Sequence, residues 1–227
     1  MDLEISSKMN KRIKITSIAI SLLMAVNLMQ ETVVAQTAQT FKDVPSSAWY
    51  YADVEALVQN GIIDSSIPNY RPQDNLNRAE MSKLIVEAFD LTLETPNFET
   101  FMDVQKDRWY YSYIETVAIN GIAIGYLDTN GNLNNLFGPN DPITREQAAK
   151  MIVLGGGMEI STECTENFTD IKNENWSYDY VETLYNNSVI DCYPNGSFKP
   201  ENNINRAEIA KIIRGATAPE VRTCGQA

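Results

Sequence analysis

The chain has 227 residues, 44% of them hydrophobic and 21% charged, with 30 acidic residues against 18 basic ones and no histidine. These are the proportions of a globular protein, but the net charge of -12 excludes charge-driven binding of DNA or RNA, which needs a surplus of Lys and Arg. The absence of histidine excludes triads with a His base and zinc sites built on His.

Residues 1–35 read as a signal peptide. Lys8, Lys11, Arg12 and Lys14 precede an apolar stretch from Ile15 to about Met29, and Val33, Val34 and Ala35 offer a small-residue cleavage site, so export and cleavage after Ala35 are expected. The apolar run is shorter than the ~20 residues of a spanning helix, so no membrane span is expected after cleavage. Met9, directly before the basic cluster, is an alternative start. Cleavage removes four basic residues and three acidic ones, so the acidity belongs to the folded part.

Beyond residue 40 one pattern occurs three times, and it decides the fold. Phe41, Asp43 and Val44 recur as Phe101, Asp103 and Val104, then as Phe168, Asp170 and Ile171. Trp49, Trp109 and Trp176, the only tryptophans, each follow the opening Phe by eight residues. A short amphipathic helix comes next, marked by Val54, Leu57 and Val58, by Ile114, Val117 and Ala118, and by Val181, Leu184 and Tyr185. Asn60 with Gly61 and Asn120 with Gly121 close the first two copies; Ser188 replaces Gly in the third, where a different cap is expected.

A turn-rich connection then reaches an aromatic and a proline: Tyr70 and Pro72, Phe137 and Pro139, Phe198 and Pro200. In the second copy this connection is six or seven residues longer and contains Asp128, Asn130, Gly131 and Asn132. An EF-hand reading fails, because Leu133 and Pro139 stand where that loop needs Gly and Glu, and a polar hairpin turn is expected instead. No metal or cofactor is implied.

Each copy ends on a second helix that opens with a tetrad: Asn77, Arg78, Ala79, Glu80; Thr144, Arg145, Glu146, Gln147; Asn205, Arg206, Ala207, Glu208. Asn or Thr followed three residues later by Glu or Gln predicts a capping box. The arginine falls at the first helical position, where backbone N–H groups lack intrahelical partners and the helix dipole favours an anion. A guanidinium there adds a forked donor suited to a carboxylate or phosphate. The chain thus divides into 1–35, repeats at 41–93, 101–157 and 168–217, and a short tail at 218–227. Each repeat is marginal alone, so a shared core is expected.

Three cysteines in an exported chain point to one disulfide and one remaining thiol. The sequence leaves all three pairings open. Cys164 with Cys224 is preferred, since both flank the last repeat whereas Cys192 lies inside it; such a bridge would contribute about 3 to 4 kcal/mol.

The order Phe-x-Asp-Val, Trp-x-Tyr, a helix closing near Gly-Ile, an aromatic before Pro, and a Thr/Asn-Arg-Ala-Glu tetrad resembles the S-layer homology domain, in three tandem copies. The resemblance implies a mainly α fold, with three helix-loop-helix repeats packed as a pseudo-threefold assembly with grooves between them. It also implies a non-catalytic anchor at the cell wall or cell surface, or on the periplasmic face of a cell with an outer membrane. Its ligand would be an anionic cell-wall polysaccharide bearing a pyruvate ketal, or a modified peptidoglycan. By analogy Arg78, Arg145 and Arg206 would hold the anion, and Trp49, Trp109 and Trp176 would shape the grooves, although aromatics at helix starts are expected to pack inward at least in part. Asp43, Asp103 and Asp170 are candidate ligand contacts whose ordinary role is to bind backbone in turns. Glu146, beside Arg145, is expected to occupy that arginine or repel an anion, which leaves the Arg206 groove as the soundest.

Two other function classes are open to this sequence. One is a structural component of a surface layer that works through contacts with other envelope proteins, with vestigial glycan grooves. The other is a glycosidase, for which no pair of carboxylates stands out from the repeat.

Overall fold

The computed structural model describes residues 39–161 and 166–218. The proposed signal peptide, Cys164 and Cys224 lie outside the described residues, so the disulfide expectation does too. Six helices run through the described chain: α1 (Tyr51–Gln59), α2 (Arg78–Ala88), α3 (Tyr111–Ile119), α4 (Arg145–Gly155), α5 (Tyr178–Asn186) and α6 (Arg206–Thr217). The described residues contain only isolated β-bridges and no named strand, so the protein is mainly α with three helix-loop-helix repeats. None of these helices is long and apolar enough to cross a membrane.

The second helix of each repeat begins as its sequence predicts. Asn77, Thr144 and Asn205 each accept the N–H of the residue three positions on, and Glu80, Gln147 and Glu208 each accept the N–H of the cap residue in return. One such cap contributes about 1 kcal/mol. The first helices close with one geometry in all three repeats. Gly61 (φ 73°), Gly121 (φ 69°) and Ser188 (φ 58°) all stand in the left-handed region. The N–H of Ser188 donates to the Tyr185 carbonyl as that of Gly61 does to Val58. The different cap expected at Ser188 is therefore absent: the third repeat keeps the turn and accepts a side chain where glycine is free of strain.

Two acids tie each repeat together, the first part-buried or exposed and the second buried. Asp43 accepts the N–H groups of Tyr70 and Arg71, Asp103 those of Phe137 and Gly138, and Asp170 those of Phe198 and Lys199. Arg71 (φ 61°) and Lys199 (φ 62°) hold left-handed backbone at the place of Gly138, and the aspartate clamp is what keeps them there. The second acid is Glu55, Glu115 or Glu182, fully or almost fully buried on the first helix. Each binds the backbone N–H and the side chain of Thr40, Thr100 or Asn167, anchoring the segment that enters the repeat.

The repeats close into a ring. α2 packs on α3, α4 on α5, and α6 returns to α1, so the second helix of each repeat lies against the first helix of the next. At the centre Leu76, Ile143 and Ile204, all buried, form a triangle of single backbone bonds: Leu76 donates to Ile204, Ile204 to Ile143, and Ile143 to Leu76. One continuous hydrophobic core runs through all three repeats, including Phe41, Phe101 and Phe168. The 126–136 insertion forms the expected hairpin, in which Leu127 pairs with Leu133 and Asp128 donates its N–H to Asn132.

Because the core is shared, the repeats should unfold together. Ile143→Ala, at the central triangle, should cost roughly 2 to 5 kcal/mol. In urea the far-UV and near-UV circular dichroism should still report one coincident transition. A separate early transition for the second repeat would contradict a common core.

Candidate functional site

The three tetrad arginines each cross into the following repeat. Arg78 Nε donates to the Phe137 carbonyl at 2.7 Å, Arg145 Nε to Phe198 at 2.9 Å, and Arg206 Nε to Tyr70 at 2.7 Å. Each guanidinium also lies over aromatic rings. Arg78 is 4.5 Å from the Phe137 centroid and 4.8 Å from that of Tyr126; Arg145 covers Phe198 and Tyr193; Arg206 covers Tyr70. Cation–π contact and a backbone acceptor let a charged group sit in the interior without a carboxylate on every nitrogen.

The helix N-termini are not open to an anion as the sequence alone implies. The N–H groups of Arg78 and Ala79 donate to the carbonyls of Asp141 and Pro139 in the next repeat. Arg145 and Glu146 donate likewise to Asn202 and Pro200, and Arg206 and Ala207 to Asp74 and Pro72. An anion at this site would meet the guanidinium rather than bare helix amides.

Three grooves result, and every repeat contributes to each. The first is formed by the 62–70 connection and the Glu80, Lys83 and Leu84 face of α2, with Trp109 from the second repeat and Arg206 from the third. The second combines the 122–127 connection and α4 residues Gln147, Lys150 and Met151 with Trp176 and Arg78. The third combines 189–194 and α6 residues Glu208, Lys211 and Ile212 with Trp49 and Arg145. Their volumes of about 270, 320 and 220 Å³ stand near the ~300 Å³ lower end of small-molecule sites. A groove of this size takes a sugar residue or two rather than a long chain segment.

The tryptophans do not pack inward. Trp49, Trp109 and Trp176 are 60%, 55% and 54% exposed, and each forms one wall of the groove belonging to the preceding repeat. The neighbours Tyr50 and Tyr110 take up part of that inward position, holding Trp49 and Trp109 edge-on with centroids 5.2 and 5.4 Å apart. Apolar ring surface left in water beside a cation is an arrangement suited to sugar faces and their substituents.

The arginines differ in what faces them. Arg206 Nη1 lies 3.2 Å from Glu80 Oε1, and Arg145 Nη1 lies 3.4 Å from Glu208 Oε1. Arg78 makes no ion pair among the described residues, because Gln147 stands where the other grooves have glutamate. Burial pulls the Arg78 pKa below its ordinary value, opposed by nearby Tyr126, Asp141 and Asp103; it stays cationic at neutral pH. Burial also pushes the Tyr126 and Tyr193 hydroxyls upward, reinforced by their hydrogen bonds to Asp141 and Glu208.

This geometry differs from the expectation that Arg206 has the freest groove and that Glu146 faces Arg145. Arg206 is occupied by an internal carboxylate, and Arg145 is occupied by Glu208 rather than by Glu146. Glu146 instead accepts the Ser177 hydroxyl at 2.8 Å. The aspartates Asp43, Asp103 and Asp170 each have both oxygens engaged by backbone N–H groups and line none of the three grooves. Cys192 is an exposed free thiol in the wall of the third groove. Sequence reasoning missed Lys83, Lys150 and Lys211, five residues past each arginine, and treated Glu80, Gln147 and Glu208 only as caps. Constant offset was the available signal, but the arginines that Glu80 and Glu208 meet belong to a neighbouring repeat.

A closed ring of three repeats with a tryptophan, an arginine and a lysine in each groove defines a repeat-built module with three related grooves. The chain belongs to the S-layer homology domain family, whose model matches residues 40–82, 100–149 and 167–210. It is similar to the surface-layer 125 kDa protein of Lysinibacillus sphaericus, at 39% identity over 111 residues, which is 48% of this chain and 9% of the relative. It is also similar to a cellulosome-anchoring protein of Acetivibrio thermocellus, 28% identical over 63% of this chain and 32% of that protein. A third relative is an amylopullulanase of Thermoanaerobacterium thermosulfurigenes, 30% identical over 63% of this chain but 7% of the enzyme. The chain thus spans a third or less of the length of each of these relatives.

The exposure of all three indoles is directly measurable. Acrylamide should quench native fluorescence almost as efficiently as it quenches the urea-unfolded chain, and the native emission maximum should lie well to the red. Blue emission with weak quenching would return the tryptophans to the core.

Proposed function

We propose that the protein is an exported, non-catalytic anchor that holds itself to the cell surface by binding an anionic cell-wall polysaccharide, or a modified peptidoglycan, in the grooves between its repeats. The observation that carries this reading is the recurrence, three times around the ring, of an exposed tryptophan and a buried or largely buried arginine fork in one groove. A ketal carboxylate on a sugar meets both: the ring face stacks on indole, and the carboxylate takes charge-assisted hydrogen bonds from the guanidinium. Arg78, Arg145 and Arg206 are the proposed anion contacts and Trp176, Trp49 and Trp109 the sugar platforms. Asp43, Asp103 and Asp170 shape the groove floors through backbone.

The relatives support the same reading. Two are named for a surface layer and for anchoring, and the match to the amylopullulanase takes in a small fraction of that enzyme, as expected of an attachment module. The net charge of -12 repels an acidic polymer at long range, so association should be slow and should speed up with salt. The alternative is assembly through protein contacts. Exposed Leu93, Phe98 and Met102, on and just after the segment joining the first two repeats, favour it.

Co-sedimentation with purified sacculi separates the two. Binding should vanish when the attached polymer or its pyruvate is removed chemically, and should fall at least about tenfold in Trp176→Ala or Arg78→Lys, which lose the platform and the fork. Binding indifferent to polymer, pyruvate and both substitutions would shift the function to protein contacts.

A further inference from the structure

The first and third repeats close the ring without a counterpart of the 126–136 hairpin, so the ring itself does not account for that insertion. In the hairpin the N–H of Asp128 donates to the Asn132 carbonyl and that of Asn134 to Tyr126. These two bonds flank Leu127 and Leu133 and make them a pair whose own backbone groups point away from each other. Their side chains lie together on one face, 53% and 55% exposed, and Ile124 beside them is exposed too. The outer edge of the second strand is engaged, since the Asn135 carbonyl accepts the Met102 N–H. The outer edge of the first strand is open: neither the N–H nor the carbonyl of Leu127 makes a hydrogen bond among the described residues.

An open edge of this kind is a template for another strand, and proteins ordinarily blunt it with lysine, proline or an inward charge. Here none of these is present. The corresponding connections of the other repeats are shorter and carry Asp64 with Pro68, and Asp191 with Pro194, and a proline removes a ladder donor. Charge singles out the occupant. From Thr116 to Asn140 the chain holds one charged residue, Asp128, in a protein of net charge -12. The Asp128 carboxylate is folded back on its own turn, accepting the N–H groups of Asn130 and Asn132. Two copies of so acidic a chain repel over most approaches, and this strand is where they can meet with least repulsion. It is also self-complementary, because an antiparallel edge matches itself about a two-fold axis.

We propose that two copies of the chain pair edge to edge through this strand, antiparallel about a two-fold axis at Leu127. The N–H of each Leu127 then donates to the Leu127 carbonyl of the second copy, and Leu133 and Leu127 of both copies form one row of four leucines. The two Asp128 residues stand diagonally, about 7 to 8 Å apart, on the face away from the leucines. Such a contact closes at two chains and cannot grow into a filament. Leu127 and Ile124 also line the second groove, so pairing brings the second grooves of the two copies together at the axis. The pairing does not depend on what the grooves bind.

The test is sedimentation of the natively processed chain over a concentration series reaching about 1 mM, the effective range of modules held side by side. Two variants accompany it: Leu127→Asp, which sets two carboxylates against each other at the axis, and Ile67→Asp, which adds the same charge at an exposed aliphatic residue of the first repeat. The parent should pass reversibly from one chain to two, and more strongly at high salt, which screens the repulsion. Leu127→Asp should weaken this association at least about tenfold, Ile67→Asp should leave it unchanged, and both should keep the far-UV circular dichroism of the parent. Leu127→Cys places two sulfurs across the axis within bridging distance, and on oxidation it should give a linked dimer well beyond the level that the exposed Cys192 gives in the parent. A parent that stays monomeric throughout would overturn the pairing, as would open-ended growth beyond two chains. An association that Leu127→Asp leaves intact or Ile67→Asp weakens equally, or a Leu127→Cys variant that cross-links no better than the parent, would overturn it as well.

Discussion

The structure depends on one constraint, the unsatisfied backbone N–H groups at the start of a helix. A capping box satisfies the cap residue and the third helical residue; the first and second still need acceptors. Here the acceptors are carbonyls of the next repeat, from Pro139 and Asp141 for α2, Asn202 and Pro200 for α4, and Asp74 and Pro72 for α6. No repeat can satisfy its own second helix. The chain must therefore close into a ring, and the triangle of Leu76, Ile143 and Ile204 is where that closure meets its axis.

The same closure makes the grooves. Once the N-terminus of a second helix is docked on the next repeat, its first side chain has to enter that repeat, and it is an arginine in all three cases. The aromatic before each proline then does double service: its carbonyl receives the arginine Nε, and its ring lies under the guanidinium. Arginine suits this duty better than lysine, because a planar fork can bond a carbonyl on one edge and remain a donor on the other. The structural role is thus carried by Nε, and the outer nitrogens of the same side chain are left for the proposed binding role.

Charge is organised locally against the global balance. A strongly acidic surface repels an anionic polymer, yet field from distant carboxylates is screened beyond the ~8 Å Debye length at physiological salt. Within a groove the immediate neighbours dominate, and a substitution of one carboxylate by an amide changes the sign of what a ligand meets. Glu80, Gln147 and Glu208 hold the same helical position and cap in the same way, but two of the three neutralise an arginine from another repeat.

The sequence by itself determined the local structure and its threefold repetition. Capping boxes, helix ends at Asn-Gly, the hairpin at 126–136 and the shared apolar register are all decided by residues within a turn or two of one another, and they were legible there. Even the buried Glu55, Glu115 and Glu182 left a signal, standing fourteen residues past each opening Phe, though their burial could not be read from polarity. What lies across repeats was decided only by the tertiary structure. An indole at a helix start reads as core, but the ring spacing turns it out to the preceding groove. An arginine at a helix N-terminus reads as an open anion site, but the next repeat supplies both the carbonyls that close the backbone and the carboxylate, or its absence, that sets the charge. These partners lie 53 to 136 residues apart in the chain, as for Arg145 with Phe198 and Arg206 with Tyr70, and no local pattern specifies which of three equivalent neighbours will meet.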